Sequence, residues 1–67
     1  MNNLKEYLSI IKELTNNRIL LDTELAKKVY GNTYNKEILI RRIRNLRYFG
    51  FNLARIKINK HYYYYLK

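Results

Sequence analysis

The chain has 67 residues and no cysteine, which limits it to one small domain and excludes a disulfide framework and a cysteine-based metal site. Its apolar fraction of 48% is too high for a disordered tail, while its apolar runs are too short to span a membrane. The net charge of +9 is uneven: residues 36–67 hold nine Lys and Arg against one acid, whereas residues 1–35 hold five against four. A basic half of this kind favours a partner that carries many negative charges.

The first predicted element is a helix that begins near Asn2 or Asn3, either of which can supply a capping side chain, and runs to about Thr15. One apolar stripe at helical spacing is expected from Leu4, Leu8, Ile11 and either Leu14 or Thr15, and Tyr7 and Ile10 widen it. The pair Asn16-Asn17 then competes for backbone hydrogen bonds and ends the helical pattern.

A brief strand and a second helix are predicted next. The apolar run over residues 18–21 has room for a short strand and little more. Asp22 or Thr23 is expected to cap a helix that runs to about Tyr30, where Gly31 ends it. The residues expected to face inward are Leu25, Ala26 and Val29.

A third helix over residues 35–49 dominates the basic half of the chain. Asn35 is a good N-cap, Glu37 lies in the first turn, and Gly50 stands where a glycine would end the helix. One apolar stripe is formed by Leu39, Ile43 and Leu46. The other side is mostly cationic and carries Lys36, Ile40, Arg41, Arg44 and Arg47, with Arg42 and Asn45 on the flank. This pattern is typical of a helix that packs on one side and binds an anion on the other.

After Gly50 the periodicity changes to the alternation of a strand. Apolar and basic residues alternate along a first strand, namely Ala54, Arg55, Ile56, Lys57 and Ile58. A tight turn is predicted at Asn59-Lys60, because Asn tolerates positive φ. A second strand follows over residues 61–66, with Tyr62, Tyr64 and Leu66 on one face and Tyr63 and Tyr65 on the other.

The predicted fold is α+β and mostly α: three helices, a short strand and a C-terminal β-hairpin, in a single domain over residues 1–67. This element order resembles that of the winged helix-turn-helix family. The segment LDTELAKKVYG is similar to the family's first helix-turn-helix segment, and NKEILIRRIRNLRYFGF is similar to its recognition helix. The segment NLARIKINKHYYYYLK resembles the wing.

The resemblance implies binding to double-stranded DNA, with the third helix in the major groove and the hairpin beside it. Carried over by position, the implied DNA-binding residues are Thr33, Tyr34, Asn35, Lys36, Glu37, Ile40, Arg41, Arg44, Arg47, Lys57, Asn59, Lys60 and His61. Arg41 and Arg44 would read guanine, and Ile40 would either contact a thymine methyl or lie in the core. Glu37 would accept from cytosine or serve only the helix dipole. Arg18, Lys27 and Lys28 are secondary candidates for phosphate contacts.

The sequence also allows other functions. An enzyme is not expected, because the chain has no catalytic triad, no phosphate-binding glycine loop and no second ligand for a metal at His61, and no cofactor is implied. The winged helix could instead bind another macromolecule, such as a nucleic-acid enzyme of a host, or RNA through Tyr63 and Tyr65. A homodimer is possible, and Tyr48 and Phe49 could belong to its surface or to the core. No membrane partner is expected. The lack of a signal-peptide pattern predicts a cytoplasmic location.

Overall fold

Three helices pack against one face of a three-stranded antiparallel sheet in the computed structural model, which describes residues 4–33 and 35–67. The elements are α1 (Leu4–Asn16), β1 (Leu20–Leu21), α2 (Asp22–Tyr30), a 3-10 turn (Gly31–Thr33), α3 (Lys36–Tyr48), β2 (Leu53–Ile58) and β3 (His61–Leu66). This order, with strands arranged β1-β3-β2, confirms the predicted α+β fold of winged-helix-like topology. The predicted caps Asn2 and Asn3, and Tyr34, lie outside the described residues.

The hairpin of β2 and β3 forms in the predicted place. The strands pair antiparallel from Leu53↔Leu66 to Ile58↔His61, and the two residues between them, Asn59 and Lys60, have φ values of 51° and 70°. Positive φ at both central positions is the signature of a type I′ turn, whose twist matches that of the flanking strands. The brief strand predicted before the second helix is also confirmed, since β1 adds to the other edge of β3.

The core lies between the helices and the inner face of the sheet. Its buried side chains are Ile10, Leu14, Leu20, Leu25, Ala26, Leu39, Ile43, Leu46, Leu53 and Tyr64. Burial of one large aliphatic side chain stabilises a fold by about 1.5–3 kcal/mol, so this set is the main source of stability for so short a chain. The stripes predicted for the third helix and, apart from half-buried Val29, for the second helix are therefore confirmed as core.

The single stripe predicted for α1 is wrong in part. Ile10 and Leu14 are buried and Tyr7 packs beside them, but Leu4 and Leu8 are 55% and 59% exposed. At about 100° per residue, the six apolar residues spread over an arc of about 160°, whereas α2, α3 and the sheet cover only part of that arc. The apolar surface of α1 is thus divided into a buried part and an exposed part.

The predicted capping of α2 is also wrong. The helix begins at Asp22 immediately after β1, so Leu21 occupies the N-cap position and supplies no side-chain hydrogen bond. Because β1 pairs with β3, Leu21 is held extended at φ −62° and ψ 146°. The Asp22 carboxylate accepts the N–H of Thr23 at 2.7 Å instead. Gly31, at φ 72°, follows the last helical residue as predicted.

Both ends of α3 are closed as the sequence predicts. At the N-terminus, the Asn35 side chain accepts the N–H of Glu37 at 2.8 Å. At the C-terminus, Gly50 at φ 108° donates to the carbonyl of Arg47, and the next N–H along the chain donates to the carbonyl of Leu46. These two bonds form a Schellman motif, which glycine favours because a side chain would be strained at this φ. The caps fix where α3 starts and stops, and hence which residues its surface presents.

Candidate nucleic-acid interface

One side of α3 faces solvent and carries both charge and apolar surface. Four residues line a shallow depression on this side and are called the α3 outer face: Glu37, Ile40, Arg41 and Arg44. Ile40 is 36% exposed here, so the alternative that it belongs to the core is wrong. Among the described residues, no carboxylate forms an ion pair with Arg41 or Arg44. Their guanidinium groups are therefore available to an external anion.

The neighbouring Arg42 has a different environment, because it points towards α1. Its Nε donates to Oε2 of Glu6 at 2.8 Å, and the hydroxyl of Tyr30 donates to the same oxygen at 3.2 Å. Glu6 thus joins α1 to both α2 and α3. Burial, reinforced by the negative charge of Glu6, raises the pKa of Tyr30 from 10.0 to about 12. The Arg42 guanidinium thus stabilises the packing of α3 on α1 rather than binding an external anion.

The same flank of α3 makes further contacts with α1. Asn45 donates through Nδ2 to the hydroxyl of Tyr7 at 2.9 Å, and the ring of Tyr7 meets that of Phe49 edge-on, with centroids 5.8 Å apart. Such aromatic pairs add about 0.5–1.5 kcal/mol to the effect of burial. These contacts fix the rotation of α3 about its axis, which keeps the α3 outer face directed towards solvent.

Arg47, an implied DNA contact, links the third helix to the wing. Its Nε donates to the carbonyl oxygen of Leu53 at 2.9 Å, at the start of β2. This bond holds the hairpin in a fixed position relative to α3, while the residue as a whole stays exposed. Arg47 therefore has a structural contact that the sequence pattern did not reveal.

Two cations of the wing are arranged around one aromatic ring. The Cζ of Arg55 lies 4.5 Å and the Nζ of Lys57 lies 5.6 Å from the centre of the Tyr62 ring. Cation–π contacts of this kind are worth about 0.5–1 kcal/mol at exposed sites and restrict the side chains. Sequence reasoning did not include Arg55, which lies opposite buried Tyr64 on the inner face of the sheet. The signal was available in the alternation, since Leu53, Arg55 and Lys57 share a face.

The remaining residues that the resemblance implies as DNA contacts lie at the start of α3 and at the tip of the wing. At the start of α3, Lys36 lies 3.7 Å from the Asp22 carboxylate, and Thr33 donates to the carbonyl of Tyr30 at 3.3 Å. At the other end are the exposed residues of the wing tip, Asn59, Lys60 and His61. Tyr34 lies outside the described residues.

The described part of the chain shows no sign of two other kinds of site. No group of three or more potential metal ligands occurs there, and no helix in it has both the length and the hydropathy needed to cross a bilayer. Comparisons with protein-family models, with curated proteins and with solved structures found no match to this chain. The interpretation of the surface therefore depends on its geometry and chemistry.

Proposed function

We propose that this protein binds double-stranded DNA and acts as a small transcriptional or replication-linked regulator. The observation that carries the proposal is the separation of the arginines on α3. Arg42 and Arg47 are engaged with Glu6 and Leu53, whereas Arg41 and Arg44 are exposed without an ion pair among the described residues. A helix about 10–12 Å wide fits the major groove of B-DNA, which is about 12 Å wide.

The α3 outer face has the chemistry needed to contact base edges. Arginine can donate two parallel hydrogen bonds to O6 and N7 of guanine, which suits Arg41 and Arg44. Ile40 can pack against a thymine methyl, and the Glu37 carboxylate can accept from the amino group of cytosine. Each good bidentate pair discriminates against a wrong base by about 1–3 kcal/mol.

The wing supports the proposal through its restrained cations. Because Arg55 and Lys57 contact the Tyr62 ring, they lose less side-chain freedom when they meet a phosphate. Lys60 and His61 at the tip extend this basic edge. Phosphate contacts give affinity without sequence information, so the wing is assigned to positioning and α3 to reading.

The test is fluorescence anisotropy of a labelled random duplex, titrated with protein at several salt concentrations. The wild type is expected to bind with an affinity that falls steeply with salt, because several phosphates release counterions. On a duplex of random sequence, Arg41 and Arg44 meet phosphates more often than a matching guanine, so Arg41→Ala/Arg44→Ala should weaken binding at least about tenfold and make the salt dependence shallower by about two phosphate contacts.

The matched control is Lys5→Ala/Lys12→Ala, which removes the same charge from the exposed side of α1. It should weaken binding by less than about threefold, since only the long-range field changes. Absence of binding at low salt, or equal losses in the two double variants, would contradict the proposal. The same titration with a labelled single strand tests the alternative that the protein binds single-stranded nucleic acid such as RNA. That alternative is less favoured, because Tyr63 and Tyr65 are half-buried and Tyr63 lies opposite the apolar Ile56 in the sheet.

A further inference from the structure

The exposed apolar part of α1 follows the spacing of a coiled-coil seam. Its members are separated by four, three and four residues and are called the α1 seam: Leu4, Leu8, Ile11 and Thr15. Leu4 and Leu8 project more than half of their surface into solvent, and Ile11 is half-buried. This spacing keeps the residues on one side of a helix, where they can pack against a second helix.

A shallow groove opens at the C-terminal end of the same seam. It lies between the end of α1 and the outer side of the sheet and is lined by Leu14, Thr15, Arg18, Ile19, Ile56, Tyr65 and Leu66. All but two of these residues are apolar, and only Arg18 is charged. The α1 seam thus has protruding leucines at one end and an apolar depression at the other.

We propose that the α1 seam and this groove form a self-complementary interface for a second copy of the chain. When two α1 helices pack antiparallel about a two-fold axis, Leu4 of one copy lies opposite Thr15 of the other, and Leu8 lies opposite Ile11. Leu4 of each copy then meets the groove of the other copy beside Thr15, while Leu8 packs against Ile11, and both contacts occur twice. The proposal concerns self-association alone, so it holds or fails independently of DNA binding.

The size of the surface predicts a weak dimer. A helix of 13 residues is about 20 Å long, so the seam and groove together offer roughly 400–600 Å² per copy. Stable interfaces bury about 800 Å² on each partner, and smaller ones are transient. Association is therefore expected in the micromolar range, with monomers dominant at lower concentrations.

The charges beside the seam predict how salt acts on the dimer. Lys5 and Lys12 flank the α1 seam on its exposed side. In the antiparallel arrangement, Lys5 of one copy faces Lys12 of the other, and the two chains carry +9 each. Salt screens this repulsion and should strengthen the dimer, whereas it weakens contacts to phosphate.

Pairing through the free edge of β2 is the competing arrangement of two copies. It would place Arg55 and Lys57 of one strand directly beside the same residues of the other, and like charges opposed across strands are destabilising. The apolar residue Ile58, 44% exposed near the wing tip, would lie in such an interface but far along the chain from α1. This difference allows the two arrangements to be separated by mutation.

Sedimentation velocity of the full chain without DNA tests the proposal across the micromolar range, at about 0.1 M and about 0.5 M NaCl. The wild type should dimerise, and more strongly at the higher salt. Leu8→Glu should weaken the dimer at least tenfold, whereas Ile58→Glu, a matched change at another exposed apolar residue, should leave it unchanged. Far-UV circular dichroism of both variants verifies that each is folded.

Charge reversal at Lys5 tests the antiparallel direction. Lys5→Glu places a carboxylate opposite Lys12 of the other copy at two symmetric positions and should tighten the dimer about two- to tenfold. A wild type that stays monomeric at high salt would overturn the proposal, as would a dimer lost in Ile58→Glu but kept in Leu8→Glu. A dimer that is unchanged or weakened by Lys5→Glu would overturn the antiparallel arrangement.

Discussion

At the scale of single residues, rotation around α3 decides what each arginine does. Arg41 and Arg42 are neighbours in sequence, yet the first lies on the α3 outer face and the second donates to Glu6 on α1. Successive residues on a helix are separated by about 100°, so adjacent side chains of one type reach different surroundings. The two positions therefore provide a matched pair for separating stability from binding.

Arg42→Ala should lower the free energy of unfolding by about 1–2 kcal/mol. The loss comes from a charged hydrogen bond and from leaving Glu6 without its main partner, moderated by the partial exposure of the pair. Arg41→Ala should change the same quantity by less than about 0.5 kcal/mol, as is usual at exposed sites. Urea denaturation of the two variants measures both values, and equal losses would show that the contact with Glu6 adds no stability.

Tyr30 should make stability fall at alkaline pH. Its phenol ionises near pH 10 in the unfolded chain but only near 12 in the folded protein, so the folded state keeps its proton longer. The contribution of the protonated Tyr30 phenol to the free energy of unfolding is complete below pH 10 and is lost as the pH rises towards 12. Denaturation midpoints measured over this interval should decline less steeply in Tyr30→Phe than in the wild type. Tyr48→Phe, at an exposed phenol, controls for the loss of one hydroxyl.

At the scale of elements, the wing is anchored at one end and restrained at the other. Arg47 bonds the start of β2 to α3, and a type I′ turn closes the hairpin at Asn59 and Lys60. Between them, Tyr62 contacts two cations on the side of the sheet that faces the helices. The hairpin therefore holds its charges in place before any ligand arrives.

Tyr62→Ala tests this arrangement without altering charge. If the wing contacts phosphates, the variant should bind duplex DNA about two- to fivefold more weakly, because Arg55 and Lys57 regain freedom that binding must remove. The slope of affinity against salt should stay close to that of the wild type, since every cation remains. Lys57→Ala should instead reduce the slope by about one phosphate contact. A lower slope in Tyr62→Ala would show that the ring does more than restrain its neighbours.

At the scale of the whole molecule, the sequence predicted what local signals determine. The caps of α3 at Asn35 and Gly50 and the turn of the hairpin depend on residues close together in the chain, and each is where it was expected. The exposure of Leu8 could not be predicted in this way, because it depends on which side of α1 the other elements cover. The exposure of Ile56, which is 42% exposed, likewise depends on tertiary structure, because the helices cover only the other face of the sheet.

Partners that are distant in sequence account for the rest of what was missed. Glu6 and Arg42 are 36 residues apart, and nothing in either segment indicates the other. Arg55 is an exception, because the strand alternation and the turn at Asn59-Lys60 already put it on the same face as Lys57 and Tyr62. The cationic chemistry of the candidate site was thus predictable from the residue types. Whether each cation serves packing or binding could be assigned only from the tertiary structure.

The contacts of Glu6 also bear on how long the folded state lasts. They join α1 to residues 24 and 36 positions further along the chain, so they form only after large loops have closed. Interactions absent from the folding transition state act mainly on the rate of unfolding. Stopped-flow measurements on Arg42→Ala should therefore find faster unfolding and a nearly unchanged folding rate. The contacts of the first helix would then set the lifetime of the native protein by slowing its unfolding.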